Sequence, residues 1–206
     1  GAGAELRPAS RPIALSYSSR LILEQLGAWS ELACTPIRRI HVSQAGRFGR
    51  ALIGPEDTGT PELGYVLEYG PLADKLMEVV RRRAIRVIAP AEVQSVEAGA
   101  DQAQLRYSAQ GGTCALEARL VVHAEGGSGE TGKGRDYGQH ALVALVECTP
   151  AADGTAYERF TEQGPLALLP QDDGYSLVWC ARPDTAQALL ALDDDVVSRA
   201  QKDAYR

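Results

Sequence analysis

The chain has 206 residues, 45% hydrophobic and 23% charged, enough for one substantial core or two smaller ones, which excludes disorder as the main state. Its 21 Lys and Arg stand against 27 Asp and Glu, a formal charge of -6, so no basic surface is available to neutralise phosphates in bulk and nucleic acid is excluded as a partner. The longest apolar stretches, such as 141–146 and 166–169, fall far short of the ~20 residues that span a bilayer.

The opening residues lack a basic segment followed by an apolar one, and the only methionine is Met77, so the chain reads as truncated or processed. Cysteines at 34, 114, 148 and 180 form no CxxC, and the three histidines do not cluster, which argues against a metal site. Free thiols in a reduced, cytoplasmic protein are the expectation.

Residues 13–29 place Leu15, Leu21, Ile22, Leu23, Leu26 and Trp29 around serines able to cap a helix, with Gly27 at its end. Between 37 and 53, β-branched residues and Gly46 predict a strand pair, residues 54–64 a loop, and 65–69 a short strand. Pro71 suits a first helical position, Leu72, Leu76, Val79 and Val80 recur at helical spacing, and Arg81, Arg82 and Arg83 close the helix. Those arginines complement the helix dipole and read as a solvated end. Strands follow at 85–88, 92–97, 102–108 and 113–123, with a hairpin turn at Gly111-Gly112. More strands are predicted at 141–147, 156–160, 166–169 and 175–180, the last two joined by Asp172-Asp173-Gly174. An Ala- and Leu-rich segment from Thr185 and a helix begun at Asp193 complete the pattern. Long antiparallel runs with three or four helices make the fold class α+β, a mixed, largely antiparallel sheet with flanking helices.

The string from Gly127 to Gly134 matches the phosphate loop G-x-x-x-x-G-K-[ST] except at its last position. Gly134 has no hydroxyl for magnesium and the residues after it run into a strand rather than a helix, so no ATP binding is expected. A flexible linker, mobile over 127–136, explains the same composition. From Leu120, however, the string reads as an apolar strand delivering Glu125, Gly126 and Gly127 at its end, where glycines permit close approach of a cofactor.

Arg11-Pro12-Ile13-Ala14-Leu15-Ser16, then Leu26-Gly27-Ala28-Trp29 and Ile40-His41-Val42-Ser43, the string 120–126, and above all 157–170 with Ser176-Leu177-Val178-Trp179 occur in one order. That succession resembles the FAD-dependent aromatic hydroxylases related to para-hydroxybenzoate hydroxylase, in their ubiquinone-biosynthesis branch. It departs from that pattern at Glu125, where the family carries Asp.

The resemblance implies part of an FAD-binding α/β domain at 1–36 and 66–135, and a substrate-binding sheet domain at 37–65 and 136–206. It covers the middle of the family's chain only, without the GxGxxG start or the C-terminal Gly-Asp segment. It implies an FAD monooxygenase that uses NAD(P)H to hydroxylate a polyprenylated phenol, the chemistry residing in the cofactor. Arg11, Glu125, Gly126 and Gly127 would lie against FAD, and Leu166, Leu168 and Pro170 would floor the substrate cavity. No catalytic acid or base emerges: His123 reads as a core residue, and His41 and His140 have no charged neighbour in sequence. The chain alone is expected to be inactive, free of FAD, prone to self-association, and at most peripherally associated with membrane. A non-catalytic binding or scaffold module with an apolar pocket is the alternative.

Overall fold

A computed structural model describes residues 11–124 and 137–191. The expected helix from Asp193, the Gly-rich string and the mobility expected of 127–136 lie outside the described residues. The chain divides into two compact units, one made of 1–79 with 137–206 and the other of 80–136.

The first unit begins with β1 (Pro12–Ser16) and α1 (Tyr17–Leu26). The Ser16 hydroxyl accepts from the Ser19 amide at 3.1 Å, and Gly27, left-handed at φ 73°, ends the helix. The helical spacing over 13–29 thus overran its start. Residues 12–16 are extended because they pair antiparallel with β5 (Gly64–Glu68), a partner some fifty positions away that local periodicity cannot reveal. β2 (Thr35–Ile37) pairs with the other edge of β5, giving a three-stranded sheet.

One face of this small sheet packs on helices. Leu67 joins Leu23 and Ala28, together with Leu72 and Val79 of α3 (Tyr69–Arg82), and Ile13 and Leu15 pack against them. Its other face presents Val66 and Ile37 to a second sheet through Ile40, Ala156 and Leu169.

That second sheet contains β3 (Arg39–Gln44), β4 (Arg50–Ile53), β9 (His140–Val146), β10 (Thr155–Thr161), β11 (Gly164–Gln171) and β12 (Gly174–Ala181). Their order is β4-β3-β10-β11-β12-β9, antiparallel throughout except where β3 and β10 run parallel. The expected mixed, largely antiparallel sheet of an α+β fold is therefore present. The loop expected at 54–64 holds one helical turn, α2 (Pro55–Thr58), and α4 (Pro183–Leu190) follows β12.

Gly164 is required by its surroundings. Its φ is +138°, and a Cβ there would lie 2.1 Å from the Cys180 carbonyl oxygen, which no other residue can occupy without moving β12.

The second unit is a three-stranded antiparallel sheet of β6 (Ala91–Ala98), β7 (Ala103–Ala109) and β8 (Gly112–Ala118). The β7–β8 turn is Gln110-Gly111, both at positive φ, one residue earlier than the glycine pair suggested. Residues 85–88 and 119–124 form no strand; Ile85, Val87, Leu120 and Val122 are at least half exposed.

Candidate functional site

Alternation along a strand sends neighbours to opposite faces, and cross-strand partners share a face. In the six-stranded sheet this sorts the residues into two unlike surfaces. One face carries Leu166 and Leu168 beside Leu177 and Trp179, with Leu142, Ala144 and Val146 beyond them and Leu189 of α4 above. It is closed: Leu166 has no exposed surface and Leu177 only 2%. Burial of such a leucine contributes about 1.5–3 kcal/mol.

Among the described residues the opposite face is covered at one end, where the small sheet meets Ile40, Ala156 and Leu169. One rung further, Glu158 stands between Val42 and Ala167. Ala167 is in register with Val178, and Val178 with Val143. Phe160 and Leu145, on the same face, are 50% and 66% exposed. A half-buried carboxylate thus sits amid small apolar side chains. Burial pushes its carboxyl above the ordinary glutamate range, and among the described residues it makes no hydrogen bond or ion pair.

Two further polar groups on this face are unspent. Ser176, in register with Leu169, is fully buried with its hydroxyl unpaired, and the Gln171 Oε1 is enclosed without a partner. Buried polar atoms without partners cost about 1–3 kcal/mol each; among the described residues Ser176 and Gln171 place two on this face, and the Trp179 Nε1 is one on the closed face. A hollow of about 560 Å³ opens at the end of the sheet, lined by Glu68, Leu145, Gln171, Asp172 and Tyr175. Burial, with Tyr157 beside it, raises the Tyr175 phenol above the usual tyrosine range.

The closed face has its own polar margin. His41, Tyr157 and Tyr175 stand in line with ring centroids 5.7 and 5.9 Å apart. Arg159 donates to the Ser43 hydroxyl at 3.2 Å. With Arg47 and Arg50 they border a second hollow of about 490 Å³, at whose lip Phe48 is fully exposed. A third cluster is internally satisfied. The Arg20 guanidinium pairs with Glu24, donates to the Tyr65 hydroxyl, and lies 5.2–5.8 Å from the rings of Tyr17, Trp29 and Tyr65.

Of the residues singled out from sequence, Arg11 is exposed at the start of β1. Its carbonyl accepts from the Tyr69 amide at 3.0 Å, and its guanidinium lies 5.7 Å from the Tyr69 ring, paired with no acid among the described residues. Glu125, Gly126 and Gly127 lie outside the described residues. Leu166, Leu168 and Pro170 come together on the closed face, where they brace β11; the same strand presents Ala167, Leu169 and Gln171 to the open face. The sequence reading does not single out Glu158, although the alternation Ala156, Glu158, Phe160 places a carboxylate on an apolar row.

Among the described residues no group of His, Cys, Asp and Glu is placed to hold a metal ion, and no helix is long and apolar enough to cross a membrane. All four cysteines are free, Cys114 exposed and the others half-buried.

No family model matches the chain. It is 26% identical over 215 residues to the ubiquinone biosynthesis monooxygenase COQ6 of Rattus norvegicus, covering 95% of this chain and 45% of that protein. To the 3-demethoxyubiquinol 3-hydroxylase of Escherichia coli it is 26% identical over 192 residues, covering 87% of this chain and 48% of that one. The chain spans about half the length of these curated relatives. Its fold is that of the flavin-dependent halogenase CmlS, with a TM-score of 0.63 over 98% of this chain and 38% of that one at 17% identity. The resemblance drawn from the sequence motifs is thereby borne out: the similarity is to ubiquinone-pathway hydroxylases, and the fold is shared with CmlS.

Proposed function

We propose that this chain, similar nearly end to end to hydroxylases of ubiquinone biosynthesis, is the part of an FAD- and NAD(P)H-dependent aromatic monooxygenase that receives a polyprenylated phenol. The observation that carries this is the continuity of the match, which runs through 95% of the chain rather than through one motif. In this reading residues 1–36 and 66–135 belong to the FAD side, and residues 37–65 and 136–206 to the substrate side.

Arg11, with Glu125, Gly126 and Gly127, would hold the FAD phosphates and pyrophosphate surroundings. When bound, FAD supplies the oxygen-transfer chemistry at the expense of NAD(P)H. The chain's own residues supply the surface. Leu166, Leu168 and Pro170 fix β11 from the closed core, so that Val42, Ala167 and Val178 offer a dry apolar floor to a ring and its prenyl tail. Exclusion of water there strengthens any hydrogen bond to the phenol. Arg47, Phe48 and Arg50 at the β3–β4 tip suit a peripheral contact with an anionic membrane surface, where such a substrate resides.

The chain by itself is expected to be colourless, inactive and prone to self-association through the open face. The test is to express the gene carrying this chain in Escherichia coli lacking its 3-demethoxyubiquinol 3-hydroxylase and to measure ubiquinone by mass spectrometry. Restored ubiquinone supports the reading; a strain that makes the protein and still lacks ubiquinone contradicts it. Yellow protein from the purified chain alone would contradict the expectation that it carries no flavin.

A further inference from the structure

We propose that Glu158 is the hydrogen-bond acceptor for the phenolic hydroxyl of the substrate, on the open face of the six-stranded sheet. The assignment rests on the reading of that face as the floor of a phenol site, and goes beyond it by naming the group that recognises the ring oxygen.

Three observations converge on it. First, position: Glu158 is central on β10, flanked by Val42 on one neighbouring strand and Ala167 on the other, with Val178 one strand further. An aromatic ring laid over these small side chains would meet apolar contacts on its face and one carboxylate at its edge. Second, the neighbourhood: the rung on one side is sealed by Ala156, Leu169 and the small sheet, while Phe160 on the other side is half exposed. Glu158 therefore stands where cover ends. Third, unspent polarity: the carboxylate has no partner among the described residues, and the fully buried Ser176 hydroxyl on the same face has none either. Neither Val42 nor Ala167 can pair with this half-buried carboxylate, so a hydroxyl donor laid on the face would give it a hydrogen bond that the chain does not. Burial holds that carboxyl above the usual glutamate range, which brings it nearer to the basicity a proton acceptor for a phenol requires.

The chemistry involves no redox change. The phenol O–H donates to a Glu158 carboxylate oxygen. As the proton moves toward the carboxylate, the O–H bonding pair stays on the phenol oxygen and enriches the ring for attack on an electrophilic oxygen.

The experiment uses the full chain and a pair of probes differing in one hydroxyl, 2-methoxyphenol and 1,2-dimethoxybenzene, titrated by ligand-observed NMR. The wild-type chain is expected to bind the phenol at least about tenfold more tightly than the ether, the strength of a charge-assisted hydrogen bond. Glu158→Leu should bind the two alike. Glu158→Gln, which keeps an oxygen acceptor without the charge and preserves the shape, should retain only part of the preference. Equal binding of both probes by the wild type, or a preference that persists undiminished in either variant, overturns the assignment while leaving the hydroxylase reading to the ubiquinone measurement. A wild-type chain that binds neither probe overturns the assignment and withdraws its support from a phenol floor as well.

Discussion

The two faces of the six-stranded sheet are built from the same strands by alternate residues, yet among the described residues one is closed along its length and the other at one end. On the closed face every large side chain has a neighbour: Leu166 and Leu177 are enclosed between β9, β12 and α4. On the open face Leu145 and Phe160 are exposed, and Glu158, Ser176 and Gln171 carry polar atoms that nothing satisfies among the described residues.

The comparison can be broken most severely from the closed side. Leu166→Ala should cost about 2–5 kcal/mol, because the cavity left at a fully enclosed position cannot collapse; a loss under about 1 kcal/mol by urea denaturation would mean that the face is looser than described. Next in size is Gly164→Ala, where the positive φ and the Cys180 carbonyl leave no room for a methyl group. About 1–3 kcal/mol is expected, read from the same unfolding curve. Leu145→Ser, on the open face, should change stability by no more than about 0.5 kcal/mol, since most of that side chain is already in water.

The smallest effect is a pH dependence. Burial raises the folded-state carboxyl of Glu158, so the native chain holds this proton to higher pH than the unfolded chain does. Its contribution to stability therefore falls as pH rises from the ordinary glutamate range through the raised folded value, and stays lower above it. Glu158→Gln removes that fall. The variant should gain on the wild type as pH rises above the ordinary glutamate value of about 4.3 in paired urea midpoints, and an equal pH response in both proteins would contradict the burial of this group.

Much of the asymmetry was legible before any fold was known, and the exceptions have physical causes. α3 declared itself through Leu72, Leu76, Val79 and Val80, and α1 through Ser16 and Gly27, because helix spacing and caps are local. In β1, Ile13 and Leu15 satisfy a helical period equally well; what makes them extended is pairing with Leu67 and Tyr65. Residues 85–88 and 119–123 carry β-branched residues and still form no strand, because β-propensity without a partner strand does not hold a backbone extended. The string 157–170, the most specific part of the family likeness, falls in β10 and β11. It pointed to the apolar residues Leu166, Leu168 and Pro170, which lie on the closed side, whereas the alternating positions between them reach the open one.

The most direct test of the account is to ask which face a ligand touches. In the chain carrying 13C-labelled methyl groups on Ala, Val and Leu, 2-methoxyphenol should shift Val42, Ala167 and Val178 and leave Leu142, Leu166 and Leu177 in place. Shifts at Leu166 and Leu177 without any at Ala167 and Val178 would contradict the assignment of the open face as the site.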